Sequence, residues 1–92
     1  MTKIEKLEEL IIEEGLTDDN FAEFKRLLKR VRDNYNKRQH CYITAIKFPP
    51  ENAAQAVKLI EYGLSAFPGD WVSTYTSYSY IGEIYSRAGE YS

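Results

Sequence analysis

His40 and Cys41 are the one histidine and the one cysteine of this 92-residue chain, and so the one pair that could form a thiol–imidazole dyad or contribute His/Cys ligands to a zinc site. Their spacing argues against both. Neighbours on a helix point about 100° apart, so imidazole and thiol would not converge on one substrate atom. One His and one Cys also fall short of a structural zinc site's ligand set. The chain has no glycine-rich phosphate loop and no G-x-S-x-G, and its many early glutamates lack the loop spacing that holds calcium. These readings predict a protein that is not an enzyme and needs no cofactor or metal.

The charges are segregated. Residues 1–24 carry eight acids, five of them at Glu5, Glu8, Glu9, Glu13 and Glu14, against two lysines. Residues 25–40 carry seven bases (Lys25, Arg26, Lys29, Arg30, Arg32, Lys37, Arg38) against Asp33 alone. On a helical wheel most of those bases share one broad face, which suits a phosphate backbone or an acidic partner. The competing reading is a solvated face partly neutralised by the acidic segment tethered beside it. A net charge of −2 and the lack of aromatic platforms between the bases disfavour nucleic acid. Apolar residues at 43% and charged residues at 28% are ordinary for a globular domain.

Aromatics are the compositional skew: eight Tyr, four Phe and one Trp. Trp71, Tyr75, Tyr78, Gly82 and Tyr85 repeat at i, i+4, i+7, i+11 and i+14, one phase of a helix. With Tyr80 and Tyr91 they form a tyrosine-rich stretch that offers either core packing or a recognition surface. Tyr78 and Tyr85 are assigned to packing, in the core and against a neighbouring helical unit. Tyr80, lying off the stripe, is assigned to contact, together with Trp71 and Tyr75.

The elements that must position these groups read as four helices. Ile4, Leu7, Leu10 and Ile11 trace a first helix over 2–14, ended by Gly15. Thr17, Asp18 and Asp19 open a second, whose stripe runs through Phe21, Phe24, Leu27, Leu28, Val31 and Tyr35. The β-branched and aromatic segment 41–46 reads either as a short strand or as its continuation, and the helical phase of Tyr35, Tyr42, Ala45 and Ile46 favours the continuation. Pro49–Pro50 breaks the chain, and Ala53, Ala56, Val57, Ile60, Leu64 and Phe67 trace a third helix. Phe67-Pro68-Gly69-Asp70 is a turn, after which the fourth helix runs about eighteen residues from Trp71. The chain therefore divides into an N-terminal hairpin, 1–48, and a second helix pair, 49–92.

Within 50–91 the pattern resembles the tetratricopeptide repeat family. Tyr78-x2-Ile81-Gly82-x2-Tyr85 has the spacing of that family's W-x2-L-G-x2-Y, and Ala88-Gly89-Glu90-Tyr91 is similar to its interhelical turn. Ala56, Ile60, Gly63-Leu64 and Pro68 resemble the pattern of the preceding second helix. The spacing from Pro68 to Tyr78 is about four residues longer than the family's, and no first-helix signature precedes Pro49. The physical content of the match is small residues (Ala56, Gly63, Gly82) that let helix axes approach, with large ones (Ile60, Tyr78, Tyr85) filling the space beside them.

The resemblance implies an all-α fold of antiparallel helical hairpins and a non-catalytic module that holds a peptide or protein. Removing the Tyr78 or Tyr85 side chain is then expected to unfold the domain. The fourth helix would keep an open face, covered by further repeats, a partner or a second copy. The alternatives are a small acidic immunity-type inhibitor of a toxin or nuclease, and a regulator that binds nucleic acid through the basic helix. The charged first ten residues, the lack of a long apolar run and the lone cysteine point to no membrane anchor and a reducing cytoplasm.

Overall fold

The computed structural model describes residues 2–90, the side chains through Gly89. It contains α1 (Lys3–Glu14), α2 (Asp18–Leu28), α3 (Asn34–Ile46), a 3₁₀ turn at Pro50–Asn52, α4 (Ala53–Ala66) and α5 (Trp71–Glu90). No strand occurs among the described residues.

Local chemistry sets the boundaries. Thr2 and Glu5 form a capping box at the start of α1, and Thr17 and Asn20 form another at the start of α2. Gly15 joins the two helices at φ 89°, a backbone angle that side chains resist. Asn20 then donates from Nδ2 to the Gly15 carbonyl at 2.9 Å, and the Leu16 amide donates to Gln55 Oε1 at 2.9 Å. The α1–α2 turn is thereby fastened to α4.

The helix expected from 18 through 46 is two helices, so the described residues form five α-helices where four helices were expected. The break falls at 29–33. The Arg30 and Val31 amides reach back only three residues, to the Leu27 and Leu28 carbonyls, which winds up α2. Asp33 then accepts from the Asn36 amide at 2.8 Å and starts α3. A short carboxylate bonding its own local backbone competes with helix continuation, and here it wins.

The core is one apolar cluster with contributions from every helix. Ile11, Phe24, Leu28, Cys41, Tyr42, Leu59 and Ile60 are at or near full burial, and Ile84 is its main contribution from α5. A Cβ at Gly63 would lie 3.1 Å from Cys41 Cβ and 3.3 Å from Tyr42 Cε1, so this glycine sets how closely α3 and α4 approach. Cys41 is therefore a core residue. Burial pushes its thiol up to about 12.

Contacts from α3 fix the C-terminal half. Arg38, buried near the start of α3, donates from Nη1 to the Phe67 carbonyl (2.6 Å) at the end of α4 and from Nη2 to Ser73 Oγ (3.3 Å) near the start of α5. A guanidinium at the carbonyl end of α4 is favoured by the helix dipole. Gly69 makes room for it: a Cβ there would sit 2.9 Å from Arg38 Cζ. Four residues on, the Tyr42 hydroxyl bonds Ser77 Oγ. Farther along, Arg87 Nη1 donates to the Ile46 carbonyl at 3.3 Å. Each step along α3 thus meets a later residue of α5.

Two further expectations change. Tyr35 is 61% exposed and leaves the apolar stripe, because it lies beyond the α2–α3 break. Residues 88–90 continue α5 as helix where a turn was expected. Tyr91, the last of the tyrosine-rich stretch, lies outside the described residues. No helix among the described residues is long and apolar enough to cross a membrane.

Candidate interaction surface

α5 has two apolar faces, and the fold uses the less conspicuous one. Ser77 and Ile84 are buried, while Ser73, Tyr80, Ile81 and Ala88 are half-buried beside them. This face lies on α3 and α4. Ser77 is small enough for close approach, and its hydroxyl is satisfied twice, by Tyr42 and by the Ser73 carbonyl at 2.9 Å. Asp70 starts the helix by accepting from the Ser73 amide at 3.0 Å, and that bond holds its carboxyl below the usual range.

The other face carries the aromatic stripe. Trp71 is 79% exposed, Tyr75 69%, Tyr78 62% and Tyr85 57%, with half-exposed Val72 at the border. Nothing lies within 4 Å of a Cβ built at Gly82. Tyr78, Gly82 and Tyr85 therefore lie outside the buried core of the described residues, although core packing was one of the two roles expected of the tyrosines, whereas Ala56, Ile60 and Gly63 are buried. Ile81 is shared: half-buried, it packs against the core's edge. Tyr80, expected as a contact residue, is half-buried with its ring 5.5 Å from that of Tyr42. Sequence periodicity missed this division because hydroxyl-bearing serines occupy the buried face.

The basic residues are scattered by the break. Lys25 lies on α2 with its ammonium 4.2 Å from the Phe21 ring and 5.0 Å from that of Tyr62. Lys58 adds a second cation 5.4 Å from Phe21. Arg26 pairs with Glu23 on its own helix. Lys29 and Arg30, at the α2 end, and Arg32, in the connection, are exposed, while Arg38 is inside. No ion pair joins α1 to α2 among the described residues; the expected neutralisation by the acidic helix is not made through direct pairs.

Instead α1 sends Glu8 to α3. His40 Nδ1 lies 3.2 Å from Glu8 Oε1, and the Thr44 hydroxyl donates to the same carboxylate. The bond to Glu8 raises the pKa of His40. A carboxylate between an imidazole and a hydroxyl ties α1 to α3, a pairing for which the sequence carried no signal, since the partners are 32 and 36 residues apart. A cleft of about 390 Å³ lies between α3 and α5, lined by Tyr35, Arg38, Gln39, Tyr42, Val72, Ser73, Thr76 and Tyr80. No group of three or more His, Cys, Asp or Glu side chains that could hold a metal ion occurs among the described residues.

Comparison with protein-family models, with curated proteins and with solved structures finds no significant match.

Proposed function

We propose that this chain is a non-catalytic protein-interaction module whose docking surface is the aromatic face of α5. The observation that carries the reading is the exposure of Trp71, Tyr75, Tyr78 and Tyr85 along one helix face, alongside a core that is complete without them. Monomeric surfaces rarely keep contiguous apolar patches beyond a few hundred Å² unless something binds there. Tyr and Trp are the side chains most often found at the energetic centre of interfaces, because large rigid rings lose little entropy when they dock. The pairing of the start of α3 with the end of α4 and the start of α5 is the contact pattern expected of antiparallel hairpins, and it supports the tetratricopeptide-like reading. Under that reading α5 is a first helix whose aromatic positions await a covering helix.

The test is covalent crosslinking of the protein to its partners, comparing the native chain with a Tyr75→Ala, Tyr78→Ala double variant. The variant is expected to keep its melting temperature and lose the crosslinked protein. Undiminished crosslinking would remove α5 as the docking surface.

The acidic-inhibitor reading has one observation in its favour: Glu5, Glu9, Glu13, Glu14, Asp18 and Asp19 all lie exposed along α1 and the α2 start. It predicts a complex that weakens steeply with salt, where the α5 reading predicts one that persists.

A further inference from the structure

We infer that the partner of the α5 face is a second copy of this chain, with the two α5 helices packed antiparallel about Tyr78. The inference rests on the reading of that face as a docking surface and names its occupant. Three observations point the same way.

The first is spacing. Trp71, Tyr75, Tyr78, Gly82 and Tyr85 alternate steps of four and three, which is the seam of a helix made to lie along another helix. The stripe spans roughly 21 Å at 1.5 Å per residue, so the occupant is a helix of about four turns with a matching seam. α5 is such a helix. The exposed apolar side chains elsewhere, Leu10, Tyr35 and Ile43, form no comparable line.

The second is charge. Between Trp71 and Ala88 the charged side chains are Glu83 and Arg87, and these pair with each other at 2.6 Å. A face with no net charge does not select an acidic or a basic partner, and it meets its own copy without repulsion.

The third is shape and area. Antiparallel pairing about Tyr78 sets Tyr78 against its counterpart, Trp71 against the other copy's Tyr85, and Tyr75 against the other copy's Gly82. The open space at Gly82 then receives a ring, large against small. Parallel pairing would set glycine against glycine and leave that space empty. With roughly 150–250 Å² per ring, the exposed parts of the four aromatics come to about 500 Å² per copy and about 1,000 Å² per pair. That is the lower limit for a specific interface, so the dimer is expected to be reversible.

Sedimentation equilibrium from low to several hundred micromolar tests the inference on the intact chain. The expected result is a concentration-dependent rise towards twice 10.7 kDa. Emission from Trp71, the single tryptophan, should shift to the blue over the same range. Tyr78→Glu should weaken association at least tenfold with its helical circular dichroism intact. Orientation is read by mild oxidation: Tyr78→Cys should crosslink to itself, whereas Gly82→Cys should not. A chain that stays monomeric throughout overturns the inference. If the Tyr75→Ala, Tyr78→Ala variant then still loses a different crosslinked protein, the docking surface stands and only its occupant changes. Efficient self-crosslinking at Gly82→Cys, with none at Tyr78→Cys, overturns the antiparallel arrangement.

Discussion

Ile84 and Tyr85 are adjacent on α5, one at 6% exposure and the other at 57%, and truncating each to alanine separates folding from docking. Ile84 closes the core over α4, so Ile84→Ala removes buried carbons and leaves a cavity, costing about 2–4 kcal/mol. For a domain this small each kcal/mol moves the melting temperature by roughly 4–8 °C, so a fall of at least about 8 °C is expected. A small domain has little more than about 5 kcal/mol in hand, so this variant stands near the edge of stability. Tyr85→Ala removes a ring that touches little of its own chain. Its effect should stay within about 0.5 kcal/mol, since the lost contact is offset by the better helix propensity of alanine. The assay is thermal circular dichroism in dilute solution, where association is minimal. The same Tyr85→Ala chain should show weakened self-association at high concentration. A dilute Tyr85→Ala protein that loses more than about 1.5 kcal/mol would refute the two-faced account of α5, because the ring would then belong to the core.

His40 is held protonated more readily than an ordinary imidazole by its bond to Glu8, so its folded pKa lies above its unfolded one. The stability it contributes is complete below about 6.5 and is lost as the pH rises through the raised folded value. Denaturant titrations at pH 5.5 and 8.5 should therefore show a greater loss for the native chain than for His40→Gln; equal losses would show that the pair does not hold α1. Arg38→Met breaks the bonds to Phe67 and Ser73 and should cost about 1.5–3 kcal/mol, with hydrogen exchange rising first around 67–74. Unchanged exchange there would mean the turn is held by other contacts. Cys41, buried with its thiol pushed up to about 12, should resist a thiol reagent in the native protein and react at once in denaturant. Rapid native labelling would show that the α3–α4 contact opens.

The helical character of the chain was legible because it is local. Capping residues at Thr17 and Asp70, the Pro49–Pro50 break and the spacing of Phe21, Phe24, Leu27 and Leu28 act within a turn or two of themselves. Asp33 carried the same kind of signal, but the apolar phase running past it concealed the break. The sequence by itself determined that the chain is helical, where α1, α4 and α5 begin, and that α5 carries a line of aromatic side chains. Only the tertiary structure decided which side of α5 faces inward, and it chose Ser77 and Ile84 over the rings. A periodicity reports how apolar a face is. Which face packs depends on what it meets: beside Tyr42 the chain places a serine whose hydroxyl is satisfied, with the Tyr80 ring at its edge. The same tertiary choice turned Arg38 and Glu8, read along the chain as members of charged runs, into the groups that fasten α4 to α5 and α1 to α3.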